Sequence, residues 1–306
     1  VSSHSAEQAR AAAAAPAAAR ARARAFGALL AGGAMIAFAP IFVRVSETGP
    51  VASAFWRTAL AVPLLWFWAR AAGAGARRHE SLSLAPMVLA GLFFAGDLGV
   101  WHVSILFTSV ANSTLLANLA PIFVTLGAWV LFGERVTRTF LVGMLVALSG
   151  AVLLVGPSFT GTSSNRALLG DALGVLTALF YGAYMLAIAR ARERADTAAI
   201  MLRSTTVCAI VLLPVALAWG EAMLPRSVTG WLVLLGLALV CQTIGQSLIA
   251  YAMAHLPASF SSVSLLAQPV LASVYAWLLL NERVGPMQAL GGTVVLAGIF
   301  LARRGS

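Results

Sequence analysis

Asp97 is the one acidic side chain set deep in an apolar stretch of this sequence; the chain has ten Asp and Glu in all, and the others are scattered. A carboxylate in such surroundings is expensive to keep, so it marks a functional position by default. Phe94, Asp97, Trp101 and Ile105 share one face at helical spacing, with His102 beside them. Polar and aromatic stripes recur at Thr114, Asn118, Pro121 and Thr125, and at Thr177, Tyr181 and Tyr184. Gln242 and Gln246 lie one turn apart, and Ser261, Ser264, Gln268 and Tyr275 align further on. Together these residues offer aromatic walls, a few amides and hydroxyls and one titratable acid, a set suited to an amphipathic, partly apolar solute. The candidate solute-binding residues are Phe94, Asp97, Trp101, His102, Asn118, Tyr181, Tyr184, Gln242, Gln246 and Gln268. Each has a structural alternative. Hydroxyls and amides also join helices to one another, and Trp101 and His102 lie near a helix end, where an aromatic belt is expected.

Bond-making chemistry lacks its parts. Intramembrane metal or diphosphate chemistry needs clustered carboxylates or a His-Glu motif, and neither is present. No Gly-x-Ser-x-Gly elbow and no P-loop occurs, which disfavours a hydrolase and an ATP-driven pump. Cys208 and Cys241 sit in different apolar segments without metal spacing, and no cofactor is implied. Transport without ATP remains. A nonselective channel is the different-class alternative, and it would pass large single-channel currents instead of a saturable flux. A proton-driven antiporter needs a titratable group, for which Asp97, with His102, is the candidate; a facilitator needs none.

The elements that hold these residues follow from composition. The chain is 60% hydrophobic and 10% charged, with mean hydropathy +0.91, far from a soluble domain. Its partner is the lipid bilayer. All 20 basic residues are Arg, a usage we attribute to genomic bias. The net charge of +10 does not point to nucleic acid, because the Arg residues fall between apolar runs instead of on one basic face. Cutting the apolar runs at their polar breaks predicts ten transmembrane helices, at 26–45, 51–70, 84–104, 110–132, 138–156, 168–189, 197–219, 228–250, 258–280 and 284–302, each near the roughly 20 residues a bilayer requires. Residues 1–25 are low in complexity and are expected to be a cytoplasmic tail, frayed or forming a short interfacial helix. The run from Phe26 to Val45 is longer than a cleaved signal core, so an uncleaved first helix is expected.

A shift of 148 residues lays the chain on itself. Pro121 meets Pro269, Trp129 meets Trp277, and Glu134, Arg135 and Val136 meet Glu282, Arg283 and Val284; Gly143 then pairs with Gly291 and Gly150 with Gly298. Duplicated halves in a membrane protein indicate a transporter built from repeats. With the N-terminus cytoplasmic, that side carries 14 Arg (Arg10, Arg20, Arg22, Arg24, Arg70, Arg77, Arg78, Arg135, Arg138, Arg190, Arg192, Arg194, Arg303 and Arg304). The other side carries four, Arg44, Arg166, Arg226 and Arg283, so the positive-inside rule puts both termini inside. Five helices per half is an odd number, so the second half must be inverted. The expected architecture is all-α and integral to the membrane: ten helices as two inverted five-helix repeats, 26–156 and 168–302, joined by 157–167, followed by a cytoplasmic end at 303–306.

Pro40, Pro63, Pro121, Pro214 and Pro269 fall within apolar runs, where a proline removes a backbone hydrogen bond and bends the helix. Pro121 and Pro269 are expected as symmetric bends and Pro40 as a further kink. Glu134 with Arg135, and Glu282 with Arg283, are read as structural charges at helix ends, snorkelling to water. Arg57 is costly to bury and calls for a partner, with a structural pairing favoured over substrate contact.

The segments "TSVANSTLLANLAPIFVTLGAWVLFGERV" (108–136) and "SFSSVSLLAQPVLASVYAWLLLNERV" (259–284), with Arg57 in the second helix, resemble the EamA group of the drug/metabolite transporter superfamily over about Phe26 to Arg303. "AFAPIFVRV" (37–45) and "DLGVWHVSI" (97–105) look most like its YddG-type exporters of aromatic amino acids. The resemblance implies alternating access about a central cavity in a bacterial cytoplasmic membrane, moving aromatic or hydrophobic amino acids and related metabolites outward. The alternative within the superfamily is a broad drug or metabolite exporter.

Overall fold

The computed structural model describes residues 2–73, 84–108, 110–155, 165–281 and 284–306; within these, the side chains of 2–18, 110, 111 and 280 are not described. Glu282 and Arg283 therefore lie outside the described residues, as do 157–164 of the expected linker. Every regular element among the described residues is helical. Ten of them are long and apolar enough to cross a membrane: Ala19–Val45, Pro50–Ala71, Ala85–Ser104, Asn112–Phe132, Arg138–Val155, Asn165–Arg192, Thr197–Ala218, Val228–Ala252, Ala258–Leu279 and Pro286–Arg304, here spans 1 to 10. The first helix starts well before Phe26, running unbroken from Ser2 to Ile36, in keeping with the high helix propensity of its alanines.

Spans 1, 2, 4 and 9 each divide in two just ahead of a proline. The breaks fall between Ile36 and Ala39 before Pro40, at Leu60 before Pro63, between Ala117 and Ala120 before Pro121, and between Ser264 and Ala267 before Pro269. The cause is the missing N–H together with the clash of the ring against the preceding turn. The chain tightens there, with Leu119 N donating to Leu116 O (3.0 Å) and Leu266 N to Val263 O (3.1 Å). Pro214 behaves differently and sits inside the continuous helix Thr197–Ala218.

Inversion of the halves is visible in the packing of span 5 on span 10. A methyl group placed on Gly143 would meet Ala302 N, and one on Gly291 would meet Leu154 N; these two contacts exchange when each half is shifted by 148 positions onto the other. The same holds for Gly298 against Ala147 and Gly150 against Val295. A contact set that maps onto itself while running antiparallel is a pseudo-twofold axis, and the glycines let the two backbones touch, as small residues do inside membranes. The duplication also reaches backbone conformation. Span 4 ends at Gly133 (φ 67°), and its counterpart Asn281 ends span 9 at φ 54°, in the left-handed region that glycine and asparagine best tolerate.

Glutamates fasten half to half. At one end of the molecule Phe26 stacks on Phe260 (centroids 5.8 Å apart) beneath the Arg303 guanidinium, 4.5 Å from the Phe26 ring, which brings the start of span 1 and the end of span 10 together. Glu134 lies at this end and accepts from Ala258 N (3.0 Å), Ser259 N (3.3 Å) and Ser259 Oγ (2.7 Å), capping span 9. At the opposite end two loops cap each other's helices. Glu47 accepts from Arg226 N (2.7 Å), Ser227 N (3.0 Å) and the Ser227 hydroxyl at the start of span 8. Glu221 accepts from Val51 N (2.9 Å) and Ala52 N (3.3 Å) at the start of span 2. Carboxylates placed on free N–H groups at helix N-termini satisfy both the hydrogen bonds and the helix dipole.

Candidate functional site

A cavity of about 570 Å³ lies between the halves, lined by spans 1, 2, 3, 4, 6, 8 and 9. Its frame is symmetric and its chemistry is not. Thr114 and Ser262, Ala117 and Leu265, Asn118 and Leu266, and Ala120 and Gln268 all line it, and the members of each pair stand 148 positions apart. The proline breaks put these positions at the wall. Yet asparagine faces leucine and alanine faces glutamine across the axis, so the duplicated scaffold presents different polar groups from each half.

Of the candidate residues, Phe94, Asp97, Trp101, His102, Asn118, Tyr181, Gln246 and Gln268 line the cavity, as do Pro40 and Pro121. Tyr184 and Gln242 stand behind the wall. Tyr184 stacks on Phe94 (4.7 Å) and donates from its hydroxyl to Gln246 Oε1 (3.2 Å), so it holds wall residues in place. Gln242 is fully buried in a π-helical stretch of span 8, Leu237–Gly245. A wider helix shifts the angular register, which separates Gln242 from Gln246 although both belong to one sequence stripe. Pro269 is likewise outside the lining, one position beyond Gln268.

Arg57 finds the partner its burial calls for in a neutral amide. It is buried at 8% exposure, yet it lines the cavity. Its Nε donates to Gln242 Oε1 (3.1 Å), and its guanidinium lies over the Phe94 ring, 5.6 Å from the centroid. No carboxylate pairs with it among the described residues. Asp97, on the same wall, likewise makes no hydrogen bond and no ion pair there. His102 is held by a bond between Nδ1 and the Leu98 carbonyl; because a carbonyl only accepts, Nδ1 carries the proton and Nε2 is left to accept, buried and without a partner among the described residues. Asn118 Nδ2 and Gln268 Nε2 are also buried donors without partners among the described residues.

The cavity is lopsided along the membrane normal. Its lining reaches Val43, Arg44 and Pro50, at the end that carries the Glu47 and Glu221 caps. Toward the other end Met185, Ile188, Ile249 and Met253 are packed into the core. Sequence patterning missed span 1's share of the wall, Ile36, Ala39 and Val43, because apolar residues there carry no polar signal. Ser262 was within reach, since shifting Thr114 by 148 positions lands on it.

The sequence model of the EamA-like transporter family matches twice, over residues 24–156 and 168–304. The chain is 28% identical over 283 residues to the pseudopaline exporter CntI of Pseudomonas aeruginosa, covering 90% of this chain and 96% of that protein. It is 30% identical to a probable terminal-alkyne amino-acid exporter of Streptantibioticus cattleyicolor, over 75% of this chain and 76% of that one. A solved crystal structure superposes with a TM-score of 0.76 at 19% identity, covering 93% and 97% of the two chains.

Proposed function

This chain belongs to the EamA-like transporter family, and from that premise we propose that it exports aromatic and hydrophobic amino acids and related small metabolites by alternating access. The observation that carries the reading is the cavity itself: walls from Phe94, Trp101 and Tyr181, the opposite charges of Arg57 and Asp97 with Arg44 at one end, and a few amides, set between inverted halves. An aromatic side chain finds apolar cover there, and an amino-acid head finds polar partners. Two relatives named for exporting pseudopaline and a terminal-alkyne amino acid support cargo of amino-acid type. The gathering of both termini at one end, with the arginine-rich loops, supports a bacterial cytoplasmic membrane with that end inside.

Vesicles reconstituted with the protein and loaded with labelled Phe, Trp, Thr and a cationic drug test the reading. Saturable amino-acid flux is expected. Robust drug flux without amino-acid flux would refute it in favour of a broad drug and metabolite exporter. That second reading draws on the cavity's volume, which exceeds what one amino acid fills.

A further inference from the structure

Arg57 is restrained by two neighbours, and both are neutral. Gln242 of span 8 accepts from its Nε, and Gln242 Nε2 in turn donates to Thr205 Oγ1 of span 7 (3.2 Å), while Phe94 of span 3 supplies a ring face. Gln242 and Thr205 are buried at 0% and 1% exposure, so the brace is built and dry. An arginine kept only for architecture inside a membrane would be expected to have its charge matched by a carboxylate. Here the brace fixes the side chain through Nε and leaves both terminal nitrogens without a hydrogen bond among the described residues, on a side chain that lines the cavity. That is the half of the guanidinium that binds carboxylates in bidentate fashion.

We propose that Arg57 reads the carboxylate of the cargo through Nη1 and Nη2, and that Asp97 takes its ammonium group. Asp97 follows Phe94 by three positions, about one helical turn, so the acid stands close to the ring that bears Arg57. Arg57 and Asp97, which form no ion pair with each other, then favour a cargo bearing both signs on neighbouring atoms. An α-amino acid does so; an amine or a carboxylic acid with the same side chain does not. This assignment rests on the exporter reading above and adds to it which residue selects the head group.

The test uses three compounds sharing one phenyl ring: phenylalanine, phenethylamine and 3-phenylpropanoate. In vesicles holding the wild-type protein, phenylalanine should outcompete both single-charge analogues. Arg57→Gln should cut phenylalanine flux by about 10- to 100-fold, the weight of a charged hydrogen-bond pair withdrawn from water. Phenethylamine flux should hold or rise, so that the preference inverts. Gln242→Glu is the second variant: it leaves Arg57 in place and supplies an internal carboxylate, and it should lower phenylalanine flux in the same way. Equal loss of all three compounds in folded Arg57→Gln would assign Arg57 to architecture and overturn the proposal, as would an unchanged preference in Gln242→Glu. Wild-type protein that carries phenylalanine and phenethylamine equally overturns it without any variant. Absence of phenylalanine flux alongside drug flux is the distinct result that removes the exporter reading itself.

Discussion

Gly298→Ala puts the packing of spans 5 and 10 to a direct test. The added methyl would lie 2.3 Å from Ala147 N and 2.6 Å from its Cα, where ordinary contact between such atoms is about 3.5 Å. Both obstacles are helix backbone, so the deficit of about 1 Å is relieved only by moving the spans apart. A gap of that size forfeits a quarter to a half of the dispersion attraction along the crossing, and overpacking typically costs about 1–3 kcal/mol. Alanine returns up to about 1 kcal/mol of helix propensity relative to glycine. The net loss should be about 2 kcal/mol, or on the order of 5 °C in unfolding midpoint. Cys208 and Cys241 are both fully buried, so a thiol-reactive dye reports unfolding of the detergent-solubilised protein. Gly150→Ala, the symmetry mate, should fall by a matching amount, its methyl meeting Val295 N at 2.4 Å. Gly27→Ala, with nothing within 4 Å, should unfold at the same temperature as wild type or higher. If Gly298→Ala and Gly150→Ala melt like Gly27→Ala, the backbone-to-backbone crossing is wrong.

Three further expectations follow from the caps and the cavity. Glu134→Gln keeps one acceptor of the carboxylate and loses the charge, which should weaken closure at the termini by about 1.4 kcal/mol and raise labelling of Ser262→Cys from that side about tenfold; an unchanged rate would show that the cap does not guard this end. Glu47 has its pKa held below the free value of 4.5 by the Ser227 hydroxyl first and then by the Arg226 and Ser227 N–H groups. Its cap is therefore fully present above about pH 4.5 and lost as pH falls through the lower folded value, so the stability gap between wild type and Glu47→Gln should narrow as the solution is acidified; a gap that does not narrow in acid contradicts the cap. Asp97→Asn removes the proposed partner of the ammonium group, so phenylalanine flux should fall about tenfold with or without a pH gradient; wild-type flux indifferent to the gradient eliminates a proton-coupling role for Asp97.

Much of the frame was written in local patterns. Ten apolar runs, their proline breaks and the 148-residue duplication are properties of neighbours in sequence, and apart from the early start of span 1 the spans begin and end within a few residues of where polar breaks place them. Partnerships across the molecule left no such trace. Glu134 reads as a charge snorkelling at a helix end until Ala258 and Ser259, more than a hundred residues on, are seen to donate to it. Glu47 and Glu221 drew no notice because each caps a helix in the other half. Arg57 calls for a partner by its burial alone, but that the partner is the amide of Gln242, 185 residues on, leaves no mark in the sequence. Gln242 left the wall because the π-helical turn breaks the 3.6-residue period on which the stripe was drawn.

The glycine face that joins spans 5 and 10 mates with its own duplicate. Such a face is what two identical five-helix chains, lying in opposite orientations, would use to form a dimer. The segment joining the halves then acts chiefly as a tether that raises the concentration of one partner around the other. Expressed as separate chains divided within 157–164, the halves should find each other through Gly143, Gly150, Gly291 and Gly298 and rebuild the cavity between them.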